Sequence, residues 1–399
     1  MASEEEERGT EEPLSPVSRL LSSLELCAVI VVTLGLKTRC NISSVVAGIK
    51  ESLIKLPRFS CKLDMDSKNK KKGEPVWVPM IVLSASGDLG PLRFQPVSLH
   101  AHVIVPDLDH VNIENPEDFI EDYCSTIVNT SMDMSIPPWE FHVLNLKTSN
   151  AESVGIVKFH HSLGDGMSLM SLLLACSRKT SDPNALPTIA ATTKKHQKSN
   201  DKGWWFIGSG FWYMIRFIFI NFVEVFKFVL TLCFLRDTKS DLSSESVDEI
   251  QPKKVIHRII NFDDVKLVKN IMQMKRILLY SLEAFNFYGI IKLTMKFFGE
   301  KVVQAISKRL FDHTTLTYLN VMGPDKEISI FDQPISYLAA SALTGSQVLN
   351  IHFVSYVNKL TISLAVDATV IPDPHRLCDD LVESLNIIKS TALEKFRIS

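Results

Sequence analysis

Ser153-Val-Gly-Ile-Val-Lys-Phe-His160-His161-Ser162-Leu-Gly-Asp165-Gly166 reads as a strand that turns directly into a helix. Ser153 to His161 is apolar and β-branched enough for a buried strand. Asp165 to Arg178 has helical character, with Met167, Leu169, Met170, Leu172, Leu173 and Leu174 as its apolar residues. Side chains alternate along a strand, so His160 and His161 are expected to point to opposite faces. Asp165 falls at the helix N-cap, where a carboxylate accepts backbone N–H bonds. Gly166 lets another part of the chain pass close by. A histidine with an ordinary pKa near 6.5 suits proton removal from an alcohol, and the tight turn fixes its direction. The plain alternative is two unremarkable histidines before a capped helix. The seven-residue pattern H-H-x-x-x-D-G at a strand-to-helix junction favours the chemical reading. Because the adjacent histidines diverge, His160, His161 and Asp165 do not suit a metal.

The surrounding chain is mixed α and β. Leu24 to Leu36 is an apolar run too short to span a bilayer and reads as a buried strand. Ile42, Val45, Val46, Ile49 and Leu53 recur at helical spacing, and Pro57 is expected to end that helix. Lys68 to Gly73 is a basic loop, and Val78 to Leu99 fits no regular element. His102 to Val105 and Trp139 to Leu146 read as strands, with a helix after Pro116 between them. Beyond the central segment come a strand (Val255 to Asn261), a helix (Asp263 to Met274), a helical stretch to about Phe311 and several strands between Thr314 and Val370. A helix from about His375 closes the sequence.

Composition removes several function classes. Among 399 residues, 43 basic and 45 acidic side chains leave a formal charge of −2, so bulk charge does not suit nucleic acid. Seven cysteines with no C-x-x-C pair exclude a zinc ribbon or thioredoxin-type site. Their scatter suits free thiols in a reducing compartment. Residues 1–12 carry six Glu and one Arg, the opposite of a targeting peptide, and are expected to be a disordered acidic tail. The bulk of the chain is therefore expected to face the cytosol. Residues 181–253 combine a polar, basic linker with the most apolar part of the sequence, Trp204 to Leu235. On a helical wheel with Arg216 at zero, Asn221, Glu224, Lys227 and Thr231 fall near about 140°, 80°, 20° and 60° at roughly 100° per residue. The polar groups share one face and Phe, Ile, Val and Leu fill the rest. Such a helix can lie in a membrane interface, cover the protein's own surface, or span a bilayer beside a partner. Trp204, Trp205, Trp212 and Tyr213 resemble interfacial anchors.

At this point the sequence resembles the plant wax ester synthase/diacylglycerol acyltransferase family, within the CoA-dependent acyltransferase superfamily. The resemblance is carried by Glu12-Pro-Leu-Ser-Pro16, Pro137-Pro138-Trp139, His160 to Gly166, Leu319-Asn-Val-Met-Gly-Pro324 and Val370-Ile-Pro-Asp-Pro374. It covers residues 11–76, 102–274 and 312 to the C-terminus. It implies an α/β (α+β), two-lobed sandwich with a channel between the lobes, here residues 13–180 and a shortened second lobe, 254–399. It also implies transfer of a fatty acyl group from acyl-CoA, as co-substrate, to a long-chain alcohol or diacylglycerol. His161 would be the general base, His160 a supporting group and Asp165 an orienting one. Gly166, Trp139 and Asn320 would shape the channel. No metal and no bound cofactor are expected, nor any nucleic-acid partner. A membrane surface is the expected partner, at the cytosolic face of the endoplasmic reticulum, or else at the plasma membrane.

Two departures stand out. Residues 78–98 look inserted. After Met274 the family's Asn-Asp motif and the strands that follow it are replaced by Lys275 to about Lys308, so the second lobe is expected to lack strands. The alternative expectation is therefore a catalytically impaired, membrane-associated relative or splice form. The Asp-Phe-Gly-Trp-Gly motif of plant acyltransferases that use soluble alcohols is absent.

Overall fold

The structure, a computed structural model, describes residues 29–64, 76–80, 98–182, 185–187, 251–271, 296–297, 299–312, 314–343 and 347–396, with seven positions between 215 and 230. The acidic tail, the basic loop at 68–73, most of 78–98 and most of the linker lie outside the described residues.

The strands are β1 (Val29–Leu36), β2 (Cys61–Asp64), β3 (Val76–Pro79), β4 (Val103–Ile104), β5 (Trp139–Leu144), β6 (Ser153–His160), β7 (Ser177–Lys179), β8 (Lys253–Asn261), β9 (Leu316–Met322), β10 (Ile328–Ile330), β11 (Gln333–Ala342), β12 (Leu349–Tyr356) and β13 (Lys359–Asp367). The principal helices are α1 (Ile42–Glu51), α2 (Pro116–Asn129), α3 (Gly166–Ala175), α4 (Phe262–Ile271), α5 (Glu300–Asp312) and α6 (Pro374–Phe396).

A seven-stranded sheet, in the order β4-β5-β6-β1-β11-β10-β7, forms the centre of the molecule. Its middle strand β1 (VIVVTLGL) is almost wholly buried and pairs antiparallel with both β6 and β11, Val32 lying opposite Val157 and Ala340. A strand buried on both faces needs such a continuous apolar run. Helices α1 and α3 cover one face, packing Val45, Ile49, Leu169 and Met170 against Leu34, Phe141 and Phe159. Helix α2 covers the other through Ile120, Cys124 and Ile127. Strands β10 and β11 come from residues 328–342, so the large sheet takes strands from both sides of the sequence boundary at 254.

Strands β8, β13, β12 and β9 form the second sheet, with an apolar cluster of Ile256, Ile362, Leu364 and Cys378 beneath α6. Tyr356 ties the two sheets together, accepting from Ile328 N at 3.0 Å and donating to Ile335 O at 3.1 Å.

A second tie joins side chains of α2 to the backbone of β8. Glu121, Ser125 and Asn129 stand one helical turn apart on α2. Glu121 Oε1 accepts His257 N at 3.1 Å, Ser125 Oγ accepts Val255 N at 2.8 Å and Asn129 Oδ1 accepts Lys253 N at 2.9 Å. Asn129 Nδ2 also donates to Lys253 O at 2.7 Å. Four residues of helix rise about 6.0 Å and two residues of strand about 6.7 Å, so the repeats match. The helix thus does for the outer edge of β8 what another strand would do.

Several local expectations need correction. Helix α1 stops at Glu51, six residues before Pro57, and Pro57 starts the next short helical turn, Pro57–Ser60, a position that needs no N–H. The strand expected from His102 shortens to Val103–Ile104, because His102 belongs to a helical turn and Pro106 cannot donate to a ladder. Strand β6 ends at His160, and His161 opens a single 3-10 turn, His161–Leu163.

Candidate active site

Strand β6 delivers the His160–Gly166 segment to the edge of the core. Its last residue is held by His160 N donating to Pro138 O at 3.0 Å. The chain then turns through His161–Leu163 and enters α3. Asp165 caps that helix, its Oδ1 accepting Ser168 N at 2.8 Å, as the sequence predicts. A Cβ on Gly166 would lie 3.3 Å from Val321 Cγ2, so the glycine lets β9 approach the start of α3.

The two histidines have different surroundings. His160 Nδ1 accepts Ser162 N at 3.3 Å and lies 2.7 Å from the buried Ser162 hydroxyl. With Nδ1 an acceptor, the neutral ring carries its proton on Nε2. Burial, reinforced by the neighbouring His161, pushes the His160 pKa down to about 4. His161 is also lowered by burial, while its own backbone and the Asp165 carboxylate pull the other way. Both rings are therefore neutral at pH 7, the form a proton acceptor needs. Because His161 lies in the 3-10 turn, strand alternation sets the direction of His160 alone.

Beside this turn, reaching it at Gly166, lies an apolar cavity of about 90 Å³. Gly166, Met170 and Leu173 of α3 form one wall, Phe141 and Phe159 another, and Val321 and Phe331 a third. Sequence reasoning missed the contribution of the C-terminal strands. It chose Asn320, which is exposed on β9, whereas the adjacent Val321 lines the cavity. Both belong to Leu319–Pro324, and the facing side could be read only once β9 had a neighbour. In the same motif Gly323 leaves no room for a side chain, since a Cβ there would overlap the Ser355 carbonyl oxygen. Trp139 is fully buried in the core, donating from Nε1 to Phe59 O at 2.9 Å and stacked on His102 at 4.3 Å between ring centroids. It shares a strand face and an apolar cluster with Phe141, two residues on, and of the two only Phe141 lines the cavity. Three possible metal-ligating side chains, Asp118, Glu121 and His375, meet on the far side of the sheet, and the motif histidines are not among them.

Residues 113–218 match the family model of the wax ester synthase/diacylglycerol acyltransferase catalytic domain, and residues 261–389 that of the family's C-terminal domain. Wax ester synthase/diacylglycerol acyltransferase 3 of Arabidopsis thaliana is 48% identical, covering 99% of this chain and 97% of that protein. The chain belongs to this family. A second Arabidopsis thaliana relative, wax ester synthase/diacylglycerol acyltransferase 1, is 46% identical, covering 95% of this chain and 94% of that protein. The first alignment runs over 492 positions, more than the 399 residues of this chain, so the relative carries segments that this chain lacks. Among solved structures, the wax ester synthase/diacylglycerol acyltransferase from Marinobacter aquaeolei VT8 aligns with a TM-score of 0.56 at 14% identity, covering 95% of this chain and 99% of the other. The first condensation domain of the calcium-dependent antibiotic synthetase aligns with a TM-score of 0.57 at 11% identity, covering 96% of each chain. At such identities the likeness is one of fold, and it agrees with the expected two-lobed acyltransferase sandwich.

Proposed function

We propose that this protein transfers a fatty acyl group from acyl-CoA to a long-chain alcohol, giving a wax ester, or to diacylglycerol, giving triacylglycerol. The observation that carries the reading is a neutral His161 at a capped strand-to-helix turn beside an apolar cavity. His161 takes the proton from the acceptor hydroxyl as its oxygen attacks the thioester carbonyl. The tetrahedral intermediate collapses, the C–S bond breaks, and the departing thiolate takes the proton from the imidazolium. No covalent acyl-enzyme is needed. Asp165 holds the turn, His160 supports it, and the cavity holds the acyl chain away from water.

The surface supports a membrane partner. Among the described residues no helix is long and apolar enough to cross a membrane. The described positions Ile215, Phe219, Phe222, Phe226 and Leu230 are helical and exposed, and all fall on the arc opposite the polar stripe. A stripe of that kind suits a helix lying in the interface of the bilayer that holds the lipid acceptors. The proposed location is the cytosolic face of the endoplasmic reticulum membrane, with the plasma membrane as the alternative.

A second reading, a catalytically impaired relative, is favoured by the segments this chain lacks. Acyl transfer from labelled acyl-CoA to hexadecanol, diacylglycerol and a phenolic alcohol separates the two. Ester with the lipid acceptors supports the first reading. Failure with all three selects the second, and a preference for the phenol defeats both.

A further inference from the structure

Helix α3 has an open space on each flank. The cavity described above meets Gly166, Met170, Leu173 and Cys176. A second, more open groove of about 380 Å³ lies between α3 and the short helical turn at Pro57–Ser60, and it meets Ser168 and Ala175 together with Leu56, Arg58, Phe59 and Leu163. Leu169 and Leu172 line both. The helical wheel explains this division. With Gly166 at zero and about 100° per residue, Met170 and Leu173 fall near 40° and 340°, Ser168 and Ala175 near 200° and 180°, and the shared Leu172 and Leu169 between, near 240° and 300°.

The reaction joins two lipid substrates, and two apolar spaces converge on the N-terminal end of one helix. The first space reaches Gly166 and the second reaches Leu163 and Ser168, so they flank the turn that carries His161 and Asp165. Chains laid on either side of α3 would bring a thioester and a hydroxyl together beside the base. The smaller, more apolar cavity suits an acyl chain held through the reaction, and the more open groove suits the chain that must arrive and leave as ester.

We propose that the groove between α3 and Pro57–Ser60 binds the alkyl chain of the acceptor, and that Leu169 and Leu172 are the partition setting the chain preference of both substrates. The proposal rests on the acyl transfer argued above.

Three variants at positions of α3 away from the motif separate the two sites. Leu173→Phe, in the cavity alone, shifts acyl-CoA chain preference and leaves acceptor preference unchanged. Ala175→Trp, in the groove alone, shifts the preference between dodecanol and hexadecanol by roughly tenfold, the scale of methylene discrimination in an apolar pocket, and leaves acyl preference unchanged. Leu172→Phe shifts both. An Ala175→Trp enzyme with unchanged acceptor preference, or with a changed acyl preference, overturns the assignment. A second measurement needs no turnover. A diazirine-bearing hexadecanol, activated by light on the full chain, labels residues 56–59 and 163–175. Label confined to β1 and β11 overturns the proposal. If this labelling pattern appears while no ester forms, the binding site stands and the acyl-transfer reading fails.

Discussion

The two outer edges of the second sheet are finished in opposite ways. At β8, the side chains of α2 bond the outward backbone groups of Lys253, Val255 and His257. At β9, pairing within the described residues is with β12 alone, and Leu316, Tyr318, Leu319 and Met322 are exposed. Residues 316–322 hold no charged residue and no proline, the devices by which sheets protect a free edge. An edge of this composition belongs in an interior. Among the described residues, β9 is the edge of the second sheet that is left unpaired and apolar. Closing an edge therefore requires matched donors and acceptors, which α2 supplies at β8.

The sharpest way to break this comparison is to remove the closed edge. Ser125→Ala with Asn129→Ala leaves Val255 N and both polar groups of Lys253 without these partners. Each buried unpaired group costs about 1–3 kcal/mol, so urea unfolding is expected to show a loss of roughly 3–9 kcal/mol. A loss below about 1 kcal/mol would mean that the side-chain ladder is incidental.

A smaller effect comes from Glu121, whose second carboxylate oxygen is buried beside His375 Nε2 at 3.3 Å. Burial raises the Glu121 pKa from 4.5 to about 7. The folded state therefore holds a proton that the unfolded state releases, and the stabilisation present below pH 4.5 is lost as pH rises through about 7. Glu121→Gln keeps the acceptor for His257 N and removes the titration. Melting temperatures measured from pH 4.5 to 8 are expected to fall more steeply for the wild type than for the Gln variant. Parallel curves would place the carboxylate in a well-solvated setting.

The smallest effect on stability is expected at the open edge. Tyr318→Lys adds a charge to an exposed position, so stability should change by no more than about 0.5 kcal/mol, while self-association measured by light scattering should fall. A large loss of stability would show that β9 is covered after all.

The His160–Gly166 turn was legible because its signals are local. The β-rich run before His160, the capping Asp165 and the glycine at Gly166 each act within a few residues, and the structure places each as read. The mixed α and β character, too, could be read from the alternation of strands and helices, whereas the two-lobed sandwich followed only from the family resemblance. The cavity was not legible in this way. Its walls come from β1, β6, β9 and β11, and no local pattern says that Val321 rather than Asn320 faces inward. The ladder was hidden for the same reason. Glu121, Ser125 and Asn129 are ordinary polar residues on an amphipathic helix until β8 is laid beside them. Strand alternation does not set the direction of His161, because β6 ends at His160 and His161 opens the 3-10 turn.

The central claim is that His161 is the base of an acyl transfer conducted beside the apolar cavity. Its most direct test compares wild type, His161→Ala and His160→Ala in ester formation from labelled palmitoyl-CoA and hexadecanol, with each protein's fold checked by circular dichroism. The expected result is a loss of about 10²–10⁴-fold for His161→Ala and a smaller loss for His160→Ala. The burial-lowered imidazole further predicts that the acid limb of wild-type kcat/KM lies below the ordinary histidine value of 6.5. A well-folded His161→Ala enzyme that forms ester at the wild-type rate would contradict the account.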